Sequence, residues 1–331
     1  MRVFRHYTDL PAASQGSIVA IGNFDGVHRG HQAVIGEAVR RAKAAGRASG
    51  VLTFEPHPRR FFKPDTPPFL LTRLRTKVRV LAAIGVDNLF VLRFNASLAG
   101  LSAETFIDRV LVDGLRAHQV VVGYDFVFGQ GRRGNPELLR ERLAARGIAT
   151  MVMPPVAAPH AEPDGDSEGL IYSSTGVRDA LRAGDPRAAA RLLGRPFEIE
   201  GRVRRGDARG RLLGFPTANI WLGDYLRPAL GVYAVQARID NGSAQPLLTG
   251  VANLGLRPTF GGSEPRLEVH LFDFQGDLYG HRLRVELIEF LRPERKFDGI
   301  EPLKAQIAAD VQAAKAALAK SLRPAPSTPK P

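Results

Sequence analysis

The sequence contains no cysteine among its 331 residues. Disulfides, thiolate nucleophiles and cysteine-ligated metals are therefore excluded, and the composition suits a reducing compartment, so we expect a cytoplasmic protein. No stretch approaches the roughly 18 consecutive apolar residues that a membrane-spanning helix needs. The first 16 residues lack an apolar core followed by a small-residue cleavage site. We therefore expect neither a membrane anchor nor a secretory signal.

Lysine is also scarce, since only eight of the 46 basic residues are lysines, yet the formal net charge is +13. The arginines recur beside glycine-rich turns, at Arg29, at Arg132 with Arg133, and within 202–211, rather than along one helix face. An arginine-rich genome would give the same bias. The guanidinium fork matches phosphate oxygens, however, so we expect small phosphate-bearing substrates and no nucleic acid.

The first half alternates short apolar runs with helical patterns, which predicts βαβ units and a Rossmann-like parallel sheet. Ligands of such sheets bind beyond the carboxyl ends of the strands. The predicted strands span 17–21, 50–54, 88–94, 119–122 and 149–153. The predicted helices span 31–45, 72–84, 103–111 and 136–146.

The second half carries short alternating strands with glycine-rich turns, which predicts an antiparallel β-barrel and makes the chain α/β plus all-β. The predicted strands span 197–204, 231–239, 247–254, 266–272 and 282–291, and a helix over 301–321 follows. A helical stretch over 177–193, broken at Gly184-Asp185-Pro186, precedes them. The predicted domain boundaries are 1–180, a linker 181–196, a second domain 197–321 and a disordered tail 322–331.

Residues 21–32 read IGNFDGVHRGHQ, a strand end, a glycine-containing turn and a helix start. Unpaired N–H groups and the positive dipole end of a helix N-terminus favour anions. His28 and His31 lie three apart, on one face of the first turn, where both imidazoles can donate to phosphate oxygens. Two histidines alone would be ordinary polar residues, but the glycine-spaced turn favours a phosphate site, with His28 and His31 as catalytic candidates.

The segment GNFDGVHRGH resembles the G-x-F-D-x-x-H-x-G-H signature of the nucleotidyltransferase superfamily. Three further segments narrow the resemblance: FEPHPRRFF at 54–62, VGYDFVFGQGRRG at 122–134 and SSTGVR at 173–178. With the C-terminal half they resemble the prokaryotic bifunctional riboflavin kinase/FMN adenylyltransferases, also called FAD synthetases. The resemblance covers the whole chain except its C-terminal tail.

The resemblance assigns roles in the first domain. It implies that His28 and His31 handle the ATP phosphates, and that further nucleotide contacts come from Gly22, Phe24, Gly30, Asp125, Ser173, Ser174, Thr175 and Arg178. Ser173 or Ser174 could also cap the next helix. Phe62 and Phe128 are candidates for packing on the isoalloxazine ring, although an aromatic at such a position is more often part of a core.

Residues 201–220 read GRVRRGDARGRLLGFPTANI and point to a second site. Glycines let backbone N–H groups reach phosphates, so Gly206 and Gly214 are nucleotide-binding candidates. Thr217 and Asn219 lie two apart and face the same way on an extended segment, and both carry hard oxygen ligands for Mg²⁺. Glycine-rich turns are common in β proteins and the loop is no Walker A motif, but the segment resembles the riboflavin kinase signature G-x-P-T-A-N.

The same family uses a glutamate to take the proton from the ribityl 5′-hydroxyl, and the matching residue is Glu268. Glu268 alternates with apolar neighbours on a predicted strand, so it points away from the apolar face and could act as a general base. Without the other motifs it would be a surface glutamate. Asn253, Arg257 and Arg292 are further candidates for the phosphate environment.

The resemblance therefore implies two reactions. The barrel makes FMN from riboflavin and ATP, and the first domain makes FAD and pyrophosphate from FMN and ATP, with Mg²⁺ as cofactor. A nucleotidyltransferase with another acceptor is one alternative, and the barrel with PTAN speaks against it. A non-catalytic flavin- or RNA-binding protein is another, and the intact candidate residues speak against it.

Overall fold

A computed structural model describes residues 1–157, 171–206, 214–240, 245–259 and 262–321. The chain forms two compact units, an N-terminal unit of residues 1–67 and 72–174 and a C-terminal unit of residues 68–71 and those from 175 onward. The predicted boundaries after 180 and 196 stay predictions, and the predicted tail 322–331 lies outside the described residues.

The N-terminal unit is a six-stranded, wholly parallel sheet in the order β1-β4-β3-β2-β5-β6. Its strands are β1 Arg2–Phe4, β2 Ile18–Ile21, β3 Ser49–Glu55, β4 Asn88–Arg93, β5 Gln119–Gly123 and β6 Ala149–Met153. Its helices are α1 Arg29–Ala44, α2 Pro58–Phe62, α3 Leu74–Ile84, α4 Ala96–Ala99, α5 Ala103–Phe106 and α6 Pro136–Ala144. The predicted strands and the parallel sheet are confirmed.

Both faces of this sheet are covered, which explains why its strands are continuous apolar runs. On β2, Val19 and Ile21 belong to one hydrophobic cluster, while Ile18 and Ala20 belong to the cluster on the opposite face. The strand order reverses between β2 and β5, because the chain runs from β2 outward to β4 on one side and from β5 to β6 on the other. Ligands of open α/β sheets bind at such a switch point.

The helix predicted over 103–111 is only partly right. The α-helical part ends at Phe106, and the chain continues as a π-helical segment, Ile107–Gly114. Asp108 of this segment pairs with Arg142 and Arg146 at 2.8 and 3.1 Å. The hydrogen bond from Arg142, together with the charge of both arginines, lowers the pKa of Asp108.

The C-terminal unit is an antiparallel barrel preceded and followed by helices. The helices are α7 Ser174–Arg182, which starts from the last residue of the N-terminal unit, α8 Pro186–Leu193 and α9 Ile300–Ser321. The strands are β7 Phe197–Arg202, β8 Ala218–Trp221, β9 Gly231–Asp240, β10 Leu248–Thr259, β11 Gly262–Leu271 and β12 Arg282–Pro293, in the order β7-β12-β9-β10-β11-β8. A bridge between Arg204 and Asn219 nearly closes the barrel. The predicted barrel, its strands and the final helix are confirmed.

Local sequence explains the break between α7 and α8. The Asp185 side chain accepts a hydrogen bond from the Ala188 backbone N–H at 2.8 Å, and Pro186 occupies the first turn of α8, where proline costs no hydrogen bond. After the last barrel strand, α9 packs Ala314 and Leu318 against Val232 and Phe272. None of the helices in the described part of the chain is both long and apolar enough to cross a membrane.

Candidate functional sites

The turn between β2 and α1, residues 22–28, has an unusual backbone that its neighbours hold in place. Phe24, Gly26 and Val27 have φ angles of 48°, 85° and 44°, in the left-handed region that side chains other than glycine rarely adopt. The buried Asp25 carboxylate accepts a hydrogen bond from the Thr72 N–H at 3.0 Å, and the Thr72 hydroxyl accepts one from the Gly26 N–H at 3.0 Å. The turn is thus fixed at the helix N-terminus, where an anion would bind. We name it the phosphate turn.

His28 and His31 lie together at this helix start. His28 caps α1, because its Nδ1 accepts a hydrogen bond from the His31 backbone N–H at 3.3 Å. This acceptor role places the proton of a neutral His28 on Nε2, which is then a donor. The two rings stack with centroids 3.6 Å apart, and Phe24 packs edge-on against His31 at 5.2 Å. The structure therefore brings Phe24, His28 and His31 into one cluster.

The serine motif reaches the phosphate turn from the end of the N-terminal unit. The Ser174 hydroxyl donates to the Asp25 carbonyl at 2.9 Å. Gly30 permits a close approach here, since a Cβ at this position would lie 3.1 Å from the Tyr172 carbonyl oxygen and from the His28 ring. Ser173 lies between Tyr172 and Ser174, the two residues that make these contacts, and is half-buried. Gly22, at the start of the turn, lies against Phe24, whose ring a Cβ there would meet at 3.0 Å.

Thr175 and Arg178 belong to the C-terminal unit. Thr175 is exposed. Arg178 Nε donates to the Phe69 carbonyl at 3.0 Å, and its guanidinium lies 5.7 Å from the Phe69 ring centroid. The structure thus gives Arg178 a protein partner in its own unit, and its predicted nucleotide contact stays a prediction.

Lys77 of α3 supports the phosphate turn, and sequence reasoning missed it. Its side chain is only 3% exposed, and Nζ donates to the Asn23 carbonyl at 2.9 Å. The Glu55 carboxylate lies 3.6 Å from the same ammonium group. The signal was a lysine inside the apolar pattern of α3, because a buried lysine needs a partner.

The two flavin candidates of this unit lie in different environments. Phe62 is 63% exposed and meets Phe61 and Phe94 edge-on at 5.2 and 5.7 Å. Phe128 is only 8% exposed and packs in the core against Phe106 and Phe126, at 5.5 and 5.2 Å. Phe62 therefore offers a free aromatic face, whereas Phe128 fills the core.

Asp125, another candidate, is exposed and follows β5 at the carboxyl edge of the sheet. β5 pairs with β2, the strand that leads into the phosphate turn. The carboxyl ends of both strands meet at the switch point, so Asp125 and the phosphate turn share one edge of the sheet.

In the barrel, three polar candidates lie side by side on neighbouring strands. Asn219 of β8 is the direct partner of Glu268 on β11, and Glu268 is in turn the partner of Asn253 on β10. Directly opposed residues of antiparallel strands point to the same face. Glu268 is 22% exposed and Asn219 is buried, so this row forms a partly sheltered polar strip. We name it the polar strip.

The glycine-rich loop meets the polar strip through Gly206. The Arg204 backbone N–H donates to the Asn219 carbonyl at 3.0 Å, and a Cβ at position 206 would come within 2.6 Å of the Asn219 side chain. Gly206 is therefore required for this approach. Thr217, half-buried, is two residues from Asn219, whose Nδ2 donates to the Thr217 carbonyl at 3.4 Å. Gly214 has a φ of 86°, and residues 207–213 lie outside the described part.

Arg266 joins the polar strip and was also missed from the sequence. Its side chain is 7% exposed, Nη1 donates to Asn219 Oδ1 at 3.4 Å, and Nε lies 3.9 Å from Glu268 Oε1. The guanidinium lies 5.1 Å from the Trp221 ring centroid. The available signal was spacing, because residues two apart on a strand point to the same face.

The remaining phosphate candidates have other partners. Arg292 makes a two-point ion pair with Asp310 of α9 at 2.8 and 2.7 Å, and its place in the phosphate environment stays a prediction. Asn253 Nδ2 donates to Glu294 at 3.3 Å. The Arg257 side chain lies outside the described residues. Within the described ranges, no group of three or more His, Asp or Glu residues is placed to hold a metal ion.

Known proteins match both halves of the chain. A family model for FAD synthetase matches residues 10–162, and one for riboflavin kinase matches residues 193–318. A bifunctional riboflavin kinase/FMN adenylyltransferase from Pseudomonas fluorescens is 44% identical, over 97% of this chain and 99% of that protein. A protein of the same name from Bacillus subtilis is 40% identical, over 90% of this chain and 91% of that protein.

A solved structure is similar over nearly the same length. It is named as a macrolide-efflux protein from Streptococcus pneumoniae, and it matches with a TM-score of 0.81 and 31% identity, over 95% of this chain and 99% of that one. Its name refers to a different activity from the two in the names of the bacterial relatives, which are more similar in sequence. The two-unit architecture is therefore shared with a solved structure along almost the whole chain.

Proposed function

Because the chain belongs to the family of bifunctional riboflavin kinase/FMN adenylyltransferases, we propose that each of its two units carries out one of the two reactions. The protein phosphorylates riboflavin with ATP to give FMN, and it joins AMP from ATP to FMN to give FAD and pyrophosphate. One observation carries the division: the FAD synthetase and riboflavin kinase models match separate segments, 10–162 and 193–318. The phosphate turn lies in the first segment and the polar strip in the second.

In the adenylyltransferase reaction, a phosphate oxygen of FMN attacks the α-phosphorus of ATP, and the bond to pyrophosphate breaks. The attacking oxygen is already anionic, so the protein has to stabilise charge rather than remove a proton. His28 Nε2 and the backbone N–H groups at the start of α1 donate to the phosphate oxygens. Lys77 and Ser174 hold the turn in shape through the Asn23 and Asp25 carbonyls.

The acceptor of this unit is recognised by its flavin ring. Phe62, with Phe61 and Phe94 beside it, offers an exposed aromatic surface on which the isoalloxazine ring can stack. Phe128 supports that region from the core. Of the two aromatic candidates, we therefore assign the flavin contact to Phe62.

In the kinase reaction, Glu268 takes the proton from the ribityl 5′-hydroxyl as that oxygen attacks the γ-phosphorus of ATP, and the bond from this phosphorus to the bridging oxygen breaks, so that ADP leaves. Its partly sheltered carboxylate is fixed on a strand next to Asn219. A base held in this way needs only to lie within hydrogen-bond reach of the hydroxyl. Gly206 lets the loop backbone approach the same side chains, which suits the binding of ATP phosphates.

Mg²⁺ suits the oxygen-bearing side chains at and next to the polar strip. Thr217 and Asn219 would supply a hydroxyl and a carboxamide oxygen, beside the Glu268 carboxylate. Mg²⁺ binds through few protein ligands plus substrate phosphates, so a site with so few donors suits it. When bound with ATP, the ion would neutralise charge that develops on the phosphates.

Cytoplasmic localisation and the absence of nucleic-acid binding stay predictions.

The test is to incubate the purified protein with riboflavin, ATP and Mg²⁺ and to separate the flavins by chromatography over time. FMN should form first and FAD should follow, and a chelator should stop FMN formation. In a parallel reaction, supplied FMN should give FAD and one pyrophosphate per FAD. Riboflavin left unchanged would exclude the kinase, and supplied FMN left unchanged would exclude the adenylyltransferase.

A further inference from the structure

We propose that Arg266 is a positioning residue of the kinase site, which holds the Asn219 carboxamide and the Glu268 carboxylate in fixed orientations. The inference deepens the proposed function and rests on it, since Glu268 is there the general base. Arg266 itself takes no part in the transfer of the phosphoryl group or the proton.

The contacts of Arg266 run to both side chains at once. Nη1 donates to Asn219 Oδ1 at 3.4 Å, and Nε lies 3.9 Å from Glu268 Oε1. Asn219 Nδ2 donates to the Thr217 carbonyl, while Asn219 Oδ1 accepts from Arg266. The two partners therefore fix the orientation of the carboxamide. A carbonyl oxygen has two lone pairs, so Asn219 Oδ1 can accept from Arg266 and still face a second partner.

The place of Arg266 in the barrel is itself fixed. Its side chain is 7% exposed, and a charge this deeply buried is retained only with partners. Its guanidinium lies 5.1 Å from the Trp221 ring, and that of Arg204 lies 5.5 Å from the same ring, so Trp221 contacts two guanidinium groups. The aromatic contact limits where the Arg266 fork can point.

Arginine suits this task better than lysine. A guanidinium presents several N–H groups in a rigid plane, so one side chain can face an amide oxygen and a carboxylate together. A lysine ammonium is a point charge on a flexible stem, and it can keep the charge but not the two-point geometry. Without Arg266, Glu268 would keep its strand position but lose a charged neighbour 3.9 Å from its carboxylate.

The experiment compares Arg266→Met and Arg266→Lys with the native enzyme. Methionine keeps most of the apolar stem beside Trp221 and removes the charge and the donors. The matched control is Arg238→Gln, which removes an arginine of the same barrel that pairs with Glu286 at 3.5 Å across β9 and β12. Riboflavin kinase kcat and KM, riboflavin Kd by flavin fluorescence, and the FMN adenylyltransferase rate are measured for each variant.

For Arg266→Met we expect kcat of the kinase to fall about 10- to 100-fold, as for the loss of a hydrogen bond with a charged group. Riboflavin KM and Kd should change less than about threefold, and the adenylyltransferase rate should be native. Arg266→Lys should recover part of kcat. A kcat like that of the Arg238→Gln control, or a loss confined to KM and Kd, would overturn the positioning role.

A double-mutant cycle separates this inference from the proposed function. In a Glu268→Gln background, the effect of Arg266→Met should shrink at least about threefold, since residues in contact are coupled. If Glu268→Gln leaves the kinase native, the proposed base is wrong. If Glu268→Gln lowers the kinase kcat, but the double variant loses the product of the two single fold-losses, only the role of Arg266 is wrong. If Arg266→Met fails to bind riboflavin, the second variant is Trp221→Leu, which keeps Arg266 but removes its ring contact. This variant should lower the kinase kcat, and a native kcat would overturn the inference.

Discussion

Asn219 on β8 and Glu268 on β11 are direct cross-strand partners. A candidate Mg²⁺ ligand and the candidate general base therefore point to the same face, although 48 residues of chain separate them. Antiparallel register makes this juxtaposition reliable, because a one-residue slip of β8 against β11 would turn Asn219 to the face opposite Glu268. The barrel thus brings together two motifs of the candidate kinase site that are distant in the sequence.

The Glu268→Gln variant tests the base. Glutamine keeps the shape and can hydrogen-bond the ribityl hydroxyl but cannot accept its proton. We expect the kinase kcat to fall about 10²- to 10⁴-fold, with a much smaller change in riboflavin affinity. Steady-state kinetics and a fluorescence titration with riboflavin measure both quantities. An affinity loss as large as the rate loss would make Glu268 a binding residue instead.

The double variant Thr217→Val with Asn219→Leu tests the metal assignment. It removes both side-chain oxygens while keeping similar volumes, so the kinase should need much more Mg²⁺ or lose activity. A titration of the kinase rate with Mg²⁺ measures the effect. Thr249→Val, on β10, is the control and should keep the native Mg²⁺ dependence. A native Mg²⁺ dependence of the double variant would show that the metal is held elsewhere.

Phe62→Ala and Phe128→Ala should separate a ligand contact from a core contact. Phe62 is exposed, so its loss should leave stability within about 0.5 kcal/mol and raise the FMN KM of the adenylyltransferase about 2- to 10-fold. Phe128 is buried, and its truncation should cost about 3–5 kcal/mol of stability. Denaturant unfolding and FMN titrations report the two effects. A native FMN KM in Phe62→Ala would remove Phe62 from the flavin site.

Glu37 on α1 predicts an acid dependence of stability. A hydrogen bond from Arg40, with further support from Arg41, lowers the pKa of Glu37 from 4.5 to about 2. A carboxyl whose pKa is lowered by folding stabilises the fold fully above its unfolded pKa, and this contribution is lost as the pH falls through the folded pKa. The thermal midpoint of the native chain should therefore exceed that of Glu37→Gln at pH 6, and the difference should shrink from about pH 4.5 towards pH 2. A difference that stays constant over this range would contradict the ion pair.

The general architecture could be predicted because its signals are local. Apolar runs such as 119–122 are strands buried on both faces, and the pattern at 231–239 is a barrel strand in which the first seven residues are all buried. Two features lacked such a signal. Strand β1 has only three residues, and a π-helical segment such as Ile107–Gly114 has no apolar period that distinguishes it from an α-helix.

Within the sites, only the contacts between residues of one sequence motif could be predicted. The pair His28 and His31 follows from spacing within one helix turn, and the structure confirms that they are adjacent. The contact of Ser174 with Asp25 spans 149 residues, and that of Lys77 with Asn23 spans 54. No periodicity encodes such contacts, because they depend on how β-strand ends and helices meet in three dimensions.

The most direct measurement of the central claim compares His28→Ala with Glu268→Gln in both assays. Two separate sites predict opposite outcomes. The His28→Ala variant should make FMN from riboflavin at the native rate but form no FAD from FMN. The Glu268→Gln variant should make FAD from supplied FMN at the native rate but phosphorylate riboflavin about 10²- to 10⁴-fold more slowly. Each variant then serves as the folding control of the other. Loss of both activities in either variant, while it remains folded, would contradict the division of the two reactions between the phosphate turn and the polar strip.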